Sequence, residues 1–299
     1  MGHGRFFEKC MKKILVIGKG GQLAGAFERA GRGSRFSIVS FNREEFDITD
    51  EVLSEKRTKD EKPDILINTA AYNAVSLCEK ESVKAFSVNC VAVRNLAKLS
   101  RMHRIRFVTF STDYVFDGRK NAPYTEDDVP NPLQMYGITK LAGEYGARSM
   151  YPEGAYIIRT NGLYGGKIGS PQKGNFVLNI LKEAEGKDRI EVAEDQFANP
   201  TYADHLARAV LSFLETSADP GLYHLANRGS CSWYECAKEV YRRMDIQKEL
   251  VPVRRGEEST GIRRPLYSVL DSHKAEGFGI LMPSWQDGVE DYVSFLRRG

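Results

Sequence analysis

The chain has 299 residues, 41% hydrophobic and 28% charged, with 43 Lys and Arg against 40 Asp and Glu for a formal net charge of +3. Such a composition is that of an ordinary folded protein and makes nucleic acid a poor partner, although short basic groups at Arg254 and Arg263 can meet a phosphate. No stretch reaches the eighteen or so apolar residues of a membrane span and no signal-peptide pattern opens the chain, so the expectation is a cytoplasmic protein with no membrane partner. Five cysteines (Cys10, Cys78, Cys90, Cys231, Cys236) match no zinc or redox spacing and read as reduced thiols.

Residues 1–11 precede the first regular pattern and are set aside as an extension or an expression remnant. KKILVIG (12–18) is a short β-branched run that stops at glycine, which suits a strand buried on both faces. Similar runs recur at FSIVSF (36–41), DILINTA (64–70), IRFVTF (105–110) and AYIIRT (155–160), with helical periodicity between them, as in residues 83–102. Alternating strands and helices predict an α/β fold with a doubly wound parallel sheet of Rossmann type, because each parallel crossover needs a helix to return the chain. Residues 12–160 form the predicted cofactor domain, with 187–217 returning to it. Residues 161–186 and 218–299 form a smaller α/β substrate region. Within these later parts the pattern gives helices at 176–186, 202–215, 232–244 and 284–298, and a short strand at 190–193. Residues 162–175 read as a long glycine-rich loop.

The first strand runs into GKGGQLAG, where Gly18, Gly21 and Ala24 are spaced to permit a tight turn, a close backbone approach to pyrophosphate, and close helix packing. The second strand ends in FNRE. Asn42 and Arg43 stand where an acid would bond the ribose of NAD, so Arg43 points to a 2'-phosphate and to NADPH, with NADH possible and a solvated surface arginine as the alternative. Asp47 and Ile48 follow where a carboxylate can meet adenine, although an N-cap in DITDE explains Asp47 or Asp50 almost equally well. The fourth strand runs into STDYVFDG and places Thr112 and Asp113 at its carboxyl end, where open sheets hold ligands; a capping role is the alternative. Tyr136 and Lys140 in MYGITKLAGE lie one helical turn apart on one face, where a lysine ammonium is expected to lower the phenol's pKa. A chain with 14 tyrosines offers roughly one such pair by chance, and YECAK (Tyr234, Lys238) is a second. Tyr234 sits on a helix whose Trp233, Ala237, Val240, Tyr241 and Met244 read as a packing stripe, so Tyr136 and Lys140 are the catalytic candidates.

Together with NTAAYNAV, PYTEDDVPNP, DQFANPTYADHLA, GLYHLAN and RRPLYSVL, these motifs resemble, in order and over nearly the whole chain, the dTDP-4-dehydrorhamnose reductase family of the extended short-chain dehydrogenase/reductases. The resemblance implies NAD(P)H-dependent reduction of the 4-keto group of a nucleotide-linked 6-deoxyhexose. It implies Tyr136 as the acid, Lys140 as its tuning partner on the nicotinamide ribose, and Thr112 and Asp113 as residues that position the sugar. Gly18 and Gly20 belong to the implied cofactor turn, Gly21, Gln22 and Leu23 meet the pyrophosphate, and Ala70, Ala71, Tyr72 and Asn73 line the cofactor. Asn175 and Arg264 are further substrate candidates, Arg264 for the diphosphate.

The sequence also departs from the family pattern. RTNGLY stands where the family commonly reads R-T-S-W-[VL]-Y, so Gly162 lacks an indole that packs on the sugar. The 165–175 loop is longer than usual, and Asn73 and Ser76 replace Thr and Asp. Ala26 replaces a glutamate used by some members in a magnesium-bridged dimer, so no metal is expected, while a homodimer is possible. Two other readings follow: a reductase or epimerase for another nucleotide sugar, and a non-catalytic protein like the regulatory subunit of methionine adenosyltransferase.

Overall fold

The computed structural model describes residues 11–166, 174–259 and 261–298. Most of the long loop expected at 165–175, and most of the N-terminal extension, lie outside the described residues. Eight strands are laid down in the first three quarters of the chain: β1 (Lys12–Ile17), β2 (Phe36–Phe41), β3 (Ile65–Asn68), β4 (Arg106–Thr112), β5 (Ala155–Thr160), β6 (Arg189–Ala193), β7 (Phe197–Ala198) and β8 (Gly221–His224). Six of them form one parallel sheet in the order β2-β1-β3-β4-β5-β8, which is the doubly wound Rossmann-type sheet expected from the sequence. The strands are continuous apolar runs because helices cover both faces. Ile14 and Val16 of β1 face one hydrophobic cluster, which α1 (Gln22–Gly31) completes, and Leu15 and Ile17 face the other.

After α2 (Glu51–Glu61) come α3 (Val75–Lys80), α4 (Ser82–Phe86), α5 (Ala92–His103) and α6 (Met135–Met150); α5 and α6 cover the second face, and α3 and α4 pack on α6. The single helix predicted at 83–102 is divided by a π-helical turn at Ser87–Val91. The extra residue in that turn accompanies a buried Asn89, whose amide grips the backbone of Tyr72 through both its N–H (2.8 Å) and its carbonyl (2.9 Å) and also reaches Thr139 of α6 (3.1 Å). The loop after β3 and the helix carrying Tyr136 are thereby tied together.

The remaining elements are α7 (Phe176–Gly186), α8 (Ala203–Phe213), β9 (Cys231–Ser232), α9 (Trp233–Met244), β10 (Glu249–Val253), β11 (Glu258–Ser259), β12 (Ile262–Arg263), α10 (His273–Glu276) and α11 (Trp285–Arg297). α7, α9 and α11 pack around a separate core that includes Val177, Val240 and Tyr292. The division at 187–217 and 218–299 differs from this arrangement in two strands. β6 pairs with β10, outside the main sheet, while β8 becomes the sheet's sixth strand by pairing with β5. α8 does join the main core, through Leu206, Ala207 and Val210, and its Asp204 receives two hydrogen bonds from Arg29 of α1 (2.9 and 2.5 Å). Short strands carry too few residues for their pattern to say which sheet they join. Among the described residues no helix is long and apolar enough to cross a membrane.

Candidate active site

The chain leaves β1 in one direction to form β2 and returns on the other side of β1 as β3, which opens a crevice at the carboxyl ends of β1 and β3. Gly18 turns the chain there with φ +108°, and a Cβ on it would lie 2.5 Å from Thr69 Oγ1, so a side chain is excluded both by conformation and by space. The N–H groups of Gly18 and Lys19 both donate to the Phe41 carbonyl (2.9 Å each), locking the turn to β2. Gly21 caps α1 without any side-chain cap, and the first turn holds no acid. That end therefore offers free backbone N–H groups and a positive dipole end to an anion, and the residues present fit a dinucleotide pyrophosphate.

A cavity of about 590 Å³ opens from this turn. Gly18, Gly21, Gln22, Leu23, Arg43, Ala70, Ala71 and Asn73 line one end, and Thr112, Asp113, Tyr136 and Lys140 line its centre. The far end is walled by Gly162, Gln196, Phe197, Trp233 and Ser268. Other sequence-derived candidates lie off this surface. Gly20 is exposed on the turn, with φ +88°. Asn42 caps the turn at Glu45 (3.0 Å), and Asp47 accepts from Thr49 and from the largely exposed Arg43 (3.1 Å). Ile48 is core, and Tyr72 presents its backbone to Asn89. Asn175 caps α7 at Leu178 and reaches Gln22 (3.1 Å) and the Tyr292 hydroxyl (3.0 Å). Arg264 lines a second cavity of about 350 Å³ with Arg255 and hydrogen-bonds Tyr114.

The central group is built on α6. Gln134 caps the helix by accepting from the Gly137 N–H (2.6 Å), and Tyr136, Lys140 and Glu144 then follow at four-residue intervals. Glu144, buried, receives the Arg159 guanidinium through Nε (2.9 Å) and Nη2 (2.7 Å) and also accepts from the Ser111 hydroxyl. This bidentate pair satisfies both charges, and breaking such a pair costs about 3–5 kcal/mol. His224 lies 3.4 Å from Arg159; burial and that guanidinium push it down to about 3, so it stays neutral. Burial brings Lys140 down to about 8, with Glu144 opposing the shift.

At the tip of β4, the Thr112 hydroxyl donates to Asp113 (2.9 Å) and accepts from the Tyr114 N–H (3.2 Å), and Thr112 lines the cavity with Tyr136. Burial raises Asp113 to about 6, although hydrogen bonds from Ser268 and Thr112 hold it back. The expectation of a lowered Tyr136 pKa is corrected here. Burial and the Asp113 carboxylate push the phenol up, because both penalise a phenolate more than the surrounding hydrogen bonds favour it. The phenol therefore enters the site holding its proton, which is the form that a general acid requires.

Tyr234 does not line this cavity; its ring lies 5.6 Å from the exposed Lys238 ammonium, and Glu235 between them completes a capping box with Ser232. Trp233 keeps its place in the packing stripe with Ala237, Val240, Tyr241 and Met244, and takes a second role that the sequence did not show. It packs on the α7–α9–α11 core and also forms part of the cavity wall, with Phe176 4.6 Å away, ring to ring. Sequence reasoning also missed Glu144 and Arg159, for which the one available signal was Glu144 standing four residues after Lys140. Among the described residues no group of three or more His, Cys, Asp or Glu side chains is placed to hold a metal.

The model of the RmlD substrate binding domain matches residues 11–298. The chain belongs to the RmlD family. A dTDP-4-dehydrorhamnose reductase of Sinorhizobium fredii is 35% identical, with 94% of this chain and 96% of the relative covered. A spore coat polysaccharide biosynthesis protein of Bacillus subtilis, SpsK, is 35% identical over 95% of this chain and 97% of its own. The crystal structure of a Bacillus anthracis dTDP-4-dehydrorhamnose reductase in complex with NADP superposes with a TM-score of 0.88 at 31% identity, covering 95% of this chain and 99% of that one. In this RmlD-family chain Tyr136 and Lys140 open with the glycine turn on one cavity, and Glu144 lies buried behind them.

Proposed function

We propose that the protein reduces the 4-keto group of a nucleotide-linked 6-deoxyhexose with NADPH, converting dTDP-4-dehydrorhamnose to dTDP-L-rhamnose. The observation that carries this reading is the convergence of the glycine turn, Thr112, Asp113, Tyr136 and Lys140 on one cavity. Full-length relatives named dTDP-4-dehydrorhamnose reductase, and one solved with NADP, support it and favour an enzyme over a non-catalytic subunit.

Bound NADPH supplies the hydride. Gly18 and Gly21 leave room for the pyrophosphate, and Arg43 offers a guanidinium on the cofactor side of the cavity. The phenol of Tyr136 donates its proton to the carbonyl oxygen as negative charge grows there, with the Thr112 hydroxyl on the same cavity surface. The Lys140 ammonium lies one turn from the phenol and offsets the negative charge left on it, and the Glu144–Arg159 pair fixes the floor beneath. Asp113 accepts hydrogen bonds from sugar hydroxyls and so holds the carbonyl in line.

The test is NADPH consumption by the purified protein with dTDP-4-dehydrorhamnose. Stoichiometric oxidation with formation of the reduced sugar is expected. No oxidation across a panel of dTDP-4-keto-6-deoxy sugars would overturn the reading. The rebuilt wall at Gly162 and Trp233 favours including sugars other than the rhamnose precursor in that panel.

A further inference from the structure

Gly162 follows the tip of β5 with φ +51°, and a Cβ placed on it would lie 3.0 Å from Trp233 Cη2 and 3.2 Å from Pro200 Cα. The benzo edge of the Trp233 indole thus occupies the space that a side chain at 162 would need. The indole comes from the first turn of α9, whose start is fixed by the Ser232–Glu235 capping box, and Phe176 of α7 packs against it. It is held from two sides, and part of it faces the cavity that contains Tyr136.

Trp233 also lines the second cavity, where Arg255 and Arg264 stand together with Glu183 and Glu191. Gln196 is shared in the same way. The indole therefore stands at the junction between a basin that holds the proton donor and a second basin of mixed charge. A ligand whose sugar lies beside Tyr136 and whose other end reaches the second basin passes against it. A flat, rigid apolar surface at that point suits the C–H face and methyl group of a 6-deoxyhexose, which offer few hydrogen-bonding groups.

On the reading that the substrate is a sugar nucleotide, we infer that Trp233 is the sugar-positioning and specificity-determining wall of this site, and that Gly162 leaves it room. Glycine at 162 admits the indole; a larger residue there displaces it. Selection of the sugar is thus assigned to α9, in the second core, and proton donation to α6 on the sheet.

Steady-state kinetics on the full-length protein give the first test. Trp233→Ala is expected to raise KM for the sugar nucleotide by about tenfold or more while NADPH affinity stays within about twofold, and to flatten discrimination among 4-keto sugars. Trp233→Phe restores most of the loss. Gly162→Ala moves the same parameters, and combining it with Trp233→Ala adds little, because both act through one indole. Unchanged sugar KM and selectivity in a folded Trp233→Ala protein, or additive effects of the two changes, would overturn the inference.

A second test does not depend on turnover. The chain has two tryptophans, so Trp285→Phe leaves Trp233 as the sole indole reporter. Titration with dTDP-glucose is expected to change its emission more than dTDP alone. Calorimetric binding of dTDP-glucose with unchanged emission sinks the indole assignment and leaves the functional reading standing. Failure to bind any sugar nucleotide sinks both.

Discussion

At the cofactor end of the cavity, the wall at the glycine turn takes Gly18, Gly21, Gln22 and Leu23 from one turn of chain and stands beside Arg43, Ala70, Ala71 and Asn73 from two other segments, whereas the opposite end draws Gly162, Gln196, Trp233 and Ser268 from four separate ones. The first wall is a local structure that a strand, a glycine and a helix start produce together. The second exists only after α7, α9 and the segments beside them have packed. A short motif can therefore locate the chemistry of this protein while leaving the shape of its sugar site undetermined. Reaction type and substrate choice are carried by different orders of structure.

The sharpest way to separate the two regions is Tyr136→Phe. It removes the proton donor without touching either wall, so turnover should fall about a hundredfold or more while NADPH binding, measured by fluorescence titration, stays intact. Equal damage to cofactor binding would show that the phenol belongs to the cofactor end. The pH profile comes next. Lys140, brought down to about 8, carries its charge below that pH and loses it above. Asp113, raised to about 6, is ionised above that pH and protonated below. Activity should therefore fall as pH drops through about 6 and again as it rises through about 8. Lys140→Met should abolish the alkaline limb and keep the acid one; an alkaline limb that persists would assign it to another group.

A smaller effect is expected from Arg43→Ala. The guanidinium is largely exposed and already held by Asp47, so the rise in KM should be about tenfold for NADPH and negligible for NADH. Parallel changes with both cofactors would remove Arg43 from the 2'-phosphate. The smallest effect belongs to Tyr234→Phe, which should leave kcat and both KM values unchanged because Tyr234 does not line the cavity.

The strands of the central sheet were legible because both faces of each are buried, which writes them as unbroken apolar runs; FSIVSF and AYIIRT coincide with β2 and β5 residue for residue. The glycine turn was legible because its constraint is local. The π turn at Ser87–Val91 was not, since an extra residue per turn leaves helical periodicity nearly intact and shows itself only through the inward amide of Asn89. The packing role of Trp233 was legible, but its second role at the cavity was not, because no periodicity encodes a residue that both packs and borders a cavity. β8 was assigned away from the sheet because four residues, GLYH, cannot declare a partner that lies more than sixty positions earlier in the chain.

That late strand gives the order of synthesis a consequence. Tyr136, Lys140 and Glu144 leave the ribosome well before Gly221–His224, which alone covers the outer edge of β5. Until those residues arrive, β5 presents unpaired backbone groups along an edge able to recruit a strand from another chain. The same late segment places His224 beside Arg159 and donates the Leu225 N–H to the Arg159 carbonyl (2.9 Å). A nascent chain that stops short of it already carries every residue of the catalytic column, together with an exposed, sticky border where the finished protein has its sixth strand.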